Sequence, residues 1–263
     1  MNAKSAPDEA TEGSGGVRSA RRALEIVSLL SESSPSLTTK EAVEQTGLPR
    51  TTVLRLLDTL EGAGLLWATE NNRYIAGPSL LRWGAMANNA WQIPITTRQA
   101  MRELADKSGE TVSIYVRHDI HRVCIAAEQG TQALRHVARV GSEQPLWAGA
   151  PARVLLSGAS PSLLRRVAAR AKGLDDGAET LAKWRDEAED LGYALTHGER
   201  EDGLSVIAVP VRNHAHAVIA SISLAGPTTR FVDERISDYH QGLAAVAAQL
   251  EEDGFANSPW LGS

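Results

Sequence analysis

The chain of 263 residues contains one cysteine, Cys124. A single thiol excludes an intramolecular disulfide framework and any zinc site built from several cysteines, and it is typical of a reducing compartment. Long hydrophobic runs are missing too, because no stretch approaches the roughly 18 apolar residues that a membrane-spanning helix needs. The sequence therefore predicts a cytoplasmic protein without a membrane segment.

Several well-known functional motifs are also missing: Gly-x-Ser-x-Gly, the Walker loop and Gly-x-Gly-x-x-Gly. His118 and His121 stand near Cys124, but alternation along a strand would place Cys124 on the opposite face from His121. A second pair, His214 and His216, lies in a predicted turn. We therefore expect no metal, no cofactor and no catalytic residue.

Charge of one sign is not in great excess, since 27 Lys and Arg face 32 Asp and Glu, for a net charge of -5. DNA-binding proteins are more often basic, so the net charge of the whole chain by itself argues against a DNA-binding protein. Residues 17–78, however, carry seven basic and seven acidic side chains, so the acidic excess lies elsewhere. We expect residues 1–16 to be a disordered tail and 251–263 a flexible one.

Residues 17–78 show the pattern of a small helical domain. Apolar residues three and four apart predict a first helix ending near residue 31. Thr38 and Glu41 have the spacing of a capping box, which predicts a second helix to residue 45. A turn containing Gly47 and Pro49 leads into a third helix, 49–61, with one apolar face.

The polar face of this third helix indicates DNA binding. Two helices joined by a short Gly-containing turn, the second with arginines and hydroxyls near its start, describe a helix-turn-helix. Strand-like runs at 65–68 and 73–76 predict a β-hairpin wing. The alternative is an ordinary three-helix bundle with a solvated polar face. We predict base contacts from Thr51, Thr52, Leu54 and Arg55, and phosphate contacts from Arg50 and Arg73.

Seven stretches share their order and spacing with one protein family. They are SARRALEI at 19–26, TGLPRTTVLRLL at 46–57, NRYIAGPSLL at 72–81, GETV at 109–112, VGSEQPL at 140–146, AVPV at 208–211 and AGPTTR at 225–230. This ordered set, which covers residues 17–250, resembles the IclR family of bacterial transcriptional regulators. The resemblance implies a repressor that binds operator DNA as a homodimer or dimer of dimers and responds to a small effector.

The resemblance also implies three parts: a winged helix-turn-helix at 17–78, a linker helix at 79–92 and a GAF-like effector-binding domain at 93–250. The linker has too much apolar surface to stand alone. The second half mixes helices with hairpins, which predicts an α+β fold. We expect helices at 96–107, 152–156, 179–191 and 233–250, and strands at 111–116, 123–128, 135–140, 194–197, 204–211 and 217–224.

The stretch 146–156 is the candidate ligand site. Small residues precede Pro151, and free backbone N–H groups at such a helix start attract a carboxylate; the alternative is a tightly packed loop. The resemblance implies that Trp147, Ala148, Gly149 and Ala150 line the effector pocket with Val206 and Ser223. Trp147 stands where the family often has histidine, Val206 where it often has cysteine and Ala225 where it has serine. The bulky ring and the fewer polar groups favour an aromatic or branched acid over a two- or three-carbon one.

Two other functions stay open at this point. An enzyme could turn over its ligand in the GAF-like domain and use the helical segment for docking, although no nucleophile and base are placed for it. A regulator with a degenerate pocket would act constitutively. The acidic loop with Glu199, Glu201 and Asp202 is expected to be solvated.

Overall fold

The computed structural model describes residues 17–254 other than 32, 172, 173 and 175. The predicted tail 1–16, and residues 255–263 of the second tail, lie outside the described residues. The chain divides into two compact units, Met1–Ala87 and Asn88–Ser263. No helix in the described part is both long and apolar enough to cross a membrane.

The first unit is a winged helix-turn-helix. Its elements are α1 (Arg18–Val27), β1 (Ser36–Thr38), α2 (Thr39–Thr46), α3 (Arg50–Gly62), β2 (Leu66–Ala68) and β3 (Arg73–Ala76). The strands form an antiparallel sheet in the order β1-β3-β2. Buried aliphatic side chains from all three helices, β1 and β2 share one core.

Local signals position α2 and α3. The Thr38 hydroxyl accepts a hydrogen bond from the Glu41 N–H (3.2 Å), and the Glu41 carboxylate accepts one from the Thr38 N–H (2.6 Å), which confirms the predicted capping box. Gly47 ends α2 with a left-handed backbone (φ 66°), where other residues are strained. Pro49 then caps α3.

Two predictions in this unit need correction. The first helix ends at Val27 rather than near residue 31. Ser36–Thr38, expected in part as a loop, forms β1 and pairs with β3. The pairing buries Leu37, which is the only hydrophobic residue of this three-residue strand. Sequence alternation could not reveal so short a strand.

The linker region forms α4 (Pro78–Ala90), and the division between the two units falls within it. None of its residues is buried in the single chain. Leu81 is 79% exposed and Met86 63%, with Trp83 nearly half exposed. The expectation that this helix has unpartnered apolar surface is confirmed.

The second unit is built on a six-stranded antiparallel sheet in the order β6-β5-β4-β9-β8-β7. The strands are β4 (Thr111–His118), β5 (His121–Glu128), β6 (Glu143–Pro145), β7 (Ala194–His197), β8 (Leu204–Arg212) and β9 (Val218–Pro227). The helices are α5 (Ile95–Ser108), α6 (Ala150–Leu155), α7 (Pro161–Ala168), α8 (Gly177–Leu191) and α9 (Asp233–Asp253). The α+β prediction is confirmed.

Helices cover both faces of this sheet. Because side chains alternate along a strand, Ile114 and Ile207 face α5 and α9, whereas Tyr115 faces the cluster formed with α6, α7 and α8. Ala208 likewise packs against α6. The central strands β4 and β9 are therefore buried along most of their length, as expected for a sheet covered on both sides.

The predicted strand at 135–140 is wrong. This segment has no regular structure, and β6 pairs with β5 in its place. Its carbonyl groups accept hydrogen bonds from side chains: His136 from Thr111, and Ala138 from Gln129. Leu134, Val137 and Val140 are exposed, and within 135–140 Ala138 alone is buried, so the segment buries little apolar surface. Helix α7, capped by Ser160, was not predicted.

The final helix extends three residues past its predicted end, to Asp253. The Asp253 carboxylate accepts hydrogen bonds from the hydroxyls of Thr96 (2.5 Å) and Thr97 (3.3 Å) and from the side-chain amide of Gln249 (3.0 Å). These bonds lower the pKa of Asp253, the bond from Thr96 contributing most. They join the end of α9 to the start of α5.

Candidate DNA interface and ligand cavity

The third helix presents a free polar face. Its core side is formed by Val53, Leu57 and Leu60, which are all buried. Helical periodicity turns the other predicted contacts outward. The exposed residues are Arg50, Thr51, Leu54 and Arg55, and Thr52 is half-buried.

The cationic side chains on this face of α3 are free to bind an anion. The guanidinium groups of Arg50 and Arg55 have no hydrogen-bond or ion-pair partner in the described ranges. Nearby Leu54 is 41% exposed, so its methyl groups are accessible on this face. Two free cations beside hydroxyl and methyl groups match the phosphate and base-edge chemistry of a major groove. Five of the six predicted DNA contacts therefore lie together on α3.

Arg73, the sixth, lies apart from them in β3. Its Nε donates to the Ser36 hydroxyl (2.8 Å), and its Nη2 donates to the Ser36 carbonyl (3.1 Å) and to the Glu41 carboxylate (3.3 Å). The side chain thereby joins β3 to β1 and to the capping box of α2. These bonds engage most of the donors that a phosphate contact would use.

A cavity of about 30 Å³ lies in the second unit, at the start of α6. Gly149, Val206 and Ser223 line it, as the family resemblance implies; Trp147, Ala148 and Ala150 do not. Eight of the thirteen lining residues are polar or charged, which sequence reasoning missed, although apolar atoms form the larger part of the exposed wall. The remaining lining residues are Tyr115, Arg122, His136, Gln144, Pro151, Thr196, Glu199, Arg200, Leu204 and Ala225.

Arg122 is the principal charged group of this wall. It is 1% exposed, and its guanidinium donates to the carbonyls of Pro145 and Ala148 (2.8 Å to the latter) and to the side-chain oxygen of Gln144 (2.8 Å). Its Nε is buried without a hydrogen-bond partner, and its charge lies 5.6 Å from the centre of the Tyr115 ring. Desolvation lowers the pKa of Arg122 to about 10, so it stays charged at neutral pH.

Arg122 forms no direct ion pair within the described segments, and a buried charge is costly unless an anion balances it; Glu199, on the same cavity wall, attracts it electrostatically. Sequence reasoning had no signal for Arg122, because it precedes the apolar run that begins at Val123 in β5. Arg200 supplies a second cation to the cavity wall. Burial lowers the pKa of His136, which favours its neutral form there. Together these groups favour a bound anion.

Gly149 is required by this geometry. Its φ is 88°, and a Cβ at this position would lie 3.3 Å from Nη2 of Arg122. The flanking residues contribute backbone groups to the scaffold: the Ala148 carbonyl accepts from Arg122, and the Ala150 N–H donates to the Thr196 hydroxyl (3.2 Å). Small residues here allow close approach of an arginine and a strand.

The Glu199 carboxylate is already bound at this position. It accepts hydrogen bonds from the Gly149 N–H (2.6 Å) and from Nη2 of Arg153 (2.7 Å). Its side chain is 22% exposed and the residue as a whole is exposed, so Glu199 is partly solvated, as expected, while its carboxylate is held by hydrogen bonds. Sequence reasoning had no signal for this contact, because the partners are 50 and 46 residues apart.

Trp147 lies outside the cavity wall. It packs against the cluster between the sheet and α6 to α8, with its ring centre 6.0 Å from that of His121. The cavity wall therefore lacks the ring of Trp147, while Leu204, Val206 and Ala225 give it apolar surface. Cys124 is buried nearby, and no three metal-ligating side chains cluster in the described part of the chain.

Comparison with known proteins identifies the family. The model described as bacterial transcriptional regulator IclR C-terminal matches residues 87–252, and the IclR helix-turn-helix domain matches residues 19–67. The chain belongs to the IclR family. This member is a DNA-binding transcriptional regulator and not an enzyme, as the sequence predicted.

Individual relatives agree over nearly the full length. An IclR-family transcriptional regulator from Rhodococcus sp. is 35% identical, with a TM-score of 0.62 and coverage of 96% of this chain and 99% of that one. The IclR transcriptional regulator from Alicyclobacillus acidocaldarius is 26% identical, with a TM-score of 0.75 and coverage of 90% and 98%. The transcriptional repressor IclR of Escherichia coli is 28% identical and covers 90% of this chain and 89% of its own.

Proposed function

We propose that this regulator is a cytoplasmic repressor whose operator affinity is set by a small polar carboxylate bound beside Arg122. The observation that carries the ligand class is the buried, charged Arg122 without an ion-pair partner in the described ranges. The name of the Escherichia coli repressor supports repression. Residues 17–78 would bind DNA, 79–92 would link, and 93–250 would bind the effector.

The ligand class follows from the polar groups around Arg122. Tyr115, Thr196 and Ser223 line the same cavity as Arg122, and the side-chain oxygen of Gln144 accepts a hydrogen bond from its guanidinium. A ligand that satisfies both kinds of group carries a carboxylate and a hydroxyl or oxo oxygen. Buried polar partners of this kind discriminate strongly against a ligand that leaves them unpaired.

In the proposed complex α3 lies in the major groove. Arg55, Thr51, Thr52 and Leu54 contact base edges, and Arg50 contacts a phosphate. A phosphate contact from Arg73 would require it to exchange its bonds to Ser36 and Glu41. We therefore assign Arg73 first to holding the wing.

We also propose that the regulator acts as a homodimer or a dimer of dimers through α4. Leu81, Trp83 and Met86 give this helix an apolar surface that a second copy of the chain would cover. Two DNA-binding units would then read half-sites one helical turn apart or a multiple of it.

The test begins with selection of the operator from random duplex DNA. Operator affinity is then measured by fluorescence anisotropy at fixed salt, with a panel of small hydroxy and oxo carboxylates and their neutral amides. We expect at least one acid, and none of the amides, to lower the affinity. A panel without effect would favour a constitutive regulator with a degenerate pocket, and consumption of an acid would favour an enzyme.

A further inference from the structure

The loop between β7 and β8, residues 198–203, places a negative charge inside the second unit. All three acids are exposed as residues, but the Glu199 side chain lines the cavity and is 22% exposed, against 58% for Glu201. The Glu199 carboxylate uses one oxygen for the Gly149 N–H and the other for Arg153. Both oxygens are thus held as those of a bound carboxylate ligand would be.

The groups that hold Glu199 are fixed independently of it. Arg153 lies with its guanidinium carbon 4.1 Å from the centre of the Trp184 ring, and its Nε is buried without a hydrogen-bond partner. Arg122 is held by three oxygen acceptors but keeps one buried donor free. These cations would keep their positions without the carboxylate, and they would then lack an anion.

We propose that Glu199 is an internal ligand that occupies the carboxylate position of the effector site and is exchanged for the effector. The incoming carboxylate takes the Gly149 N–H and the Arg153 guanidinium, and Glu199 moves to solvent. This inference rests on the proposed function, because it assigns the competitor for that same site.

Available space supports an exchange. With Glu199 in place, the cavity of about 30 Å³ has room for about one or two water molecules but not for an organic acid. Withdrawal of the Glu199 side chain both vacates the donors and enlarges the cavity. A ligand therefore cannot add to the present arrangement and has to replace part of it.

The loop has the backbone for such a movement. Gly198 and Gly203, at its two ends, have φ values of 64° and 78°, a region that glycine adopts at little cost. The Gly198 N–H donates to the Leu204 carbonyl (2.8 Å), which closes the loop at its base. The tip with Glu199 can change direction while β7 and β8 stay paired.

Exchange has a consequence for selectivity. A neutral ligand that displaced Glu199 would leave Arg153 and Arg122 without a balancing charge, which is unfavourable in a buried site. A carboxylate replaces the lost charge. Glu199 therefore favours anionic effectors and reduces their affinity, since each must compete with a tethered carboxylate.

Acetate is the probe that tests this assignment, because it replaces the Glu199 carboxylate and nothing more. In Glu199→Ala the site is vacated, and we expect the acetate Kd, from NMR titration of the Gly149 amide, to be about tenfold lower than in wild type. Acetate should also raise the melting temperature of this variant. Chloride at equal ionic strength should not.

Asp202→Ala is the matched control, since it removes an exposed acid from the same loop. It should respond to acetate as wild type does. Glu199→Gln keeps the side-chain size and removes the charge. It therefore still tests the proposal if the alanine variant does not fold. It should also bind acetate more tightly than wild type. Equal acetate affinity in wild type and both Glu199 variants would overturn the proposal.

These outcomes are distinct from failure of the proposed function. Tighter acetate binding by the Glu199 variants, with no carboxylate effect on wild-type operator affinity, would retain the internal ligand and reject effector control. If carboxylates control the operator affinity of wild type but substitution of Glu199 does not tighten acetate binding, effector control is retained and the internal ligand is rejected.

Discussion

Arg230 holds the fully buried carboxylate of Glu110 through two hydrogen bonds, one from Nη2 to Oε2 of 2.9 Å and one from Nε to Oε1. The same Nη2 also donates to the Leu134 carbonyl (2.8 Å). A Cβ on Gly226 would lie only 2.0 Å from Oε2 of Glu110, so glycine is required beside the pair. The pair joins two stretches, 109–112 and 225–230, that carried the family resemblance.

Glu110→Gln should destabilise the second unit. It weakens the two charge-assisted hydrogen bonds between the buried Glu110 carboxylate and Arg230, whose side chain is 24% exposed, and we expect a loss of about 2 kcal/mol of unfolding free energy. Urea unfolding followed by circular dichroism measures the change. Lys183→Gln, which removes an exposed pair with Glu187, should stay close to wild type. Equal stability of the two variants would show that the Glu110 pair is not structural.

The two motifs could be seen in the sequence, but their contact could not. Local rules predicted the Thr38 capping box, the bounds of α3 and its polar face, because helix periodicity and caps depend on neighbouring residues. The two wrong strand predictions depended on contacts between distant residues. Strand β1 was missed because it forms by pairing with β3. Residues 135–140 do not form the predicted strand, and the carbonyls of His136 and Ala138 accept hydrogen bonds from side chains instead. Nothing near Glu199 in sequence indicates Gly149 or Arg153.

The ligand site shows the same limit. Three residues that the resemblance implied for the effector pocket, Gly149, Val206 and Ser223, line the cavity, whereas Arg122 came from the structure. The resemblance also implied that Trp147 lines the effector pocket. Its side chain packs instead against the cluster around α6 to α8.

Cys124 should be unreactive in the folded protein. It is fully buried, and burial raises the pKa of its thiol to about 11. At pH 8 about one thiol in a thousand would be ionised, and the thiolate is the reactive form. Iodoacetamide followed by mass spectrometry should leave Cys124 unmodified until denaturant is added. Rapid native labelling with retained operator binding would contradict the burial.

Arg73→Ala should loosen the wing. The Ser36 contacts contribute about 1 kcal/mol, and without them β1 and β3 lose a cross-strand connection. Hydrogen exchange of the β1 and β3 amides should accelerate relative to wild type. Unchanged exchange together with a large loss of operator affinity would instead assign Arg73 to DNA contact.

Arg55→Ala should remove base-specific recognition while the fold is retained. The side chain is exposed and unpaired on α3 in the described structure, so its loss leaves the core intact. We expect operator affinity to fall by about 1–3 kcal/mol and to approach that for random DNA. Arg165→Ala, an exposed arginine of α7 outside the DNA-binding unit, is the control in the gel-shift assay. Undiminished operator preference in Arg55→Ala would count against the interface.

Arg122 carries the central claim that an anion in the second unit controls DNA binding. The decisive measurement is operator affinity as a function of carboxylate concentration in wild type and in Arg122→Met. We predict that a polar carboxylate releases operator from wild type, whereas Arg122→Met binds operator equally well and does not respond. Equal release from both proteins, or no release from wild type by any acid of the panel, would contradict it.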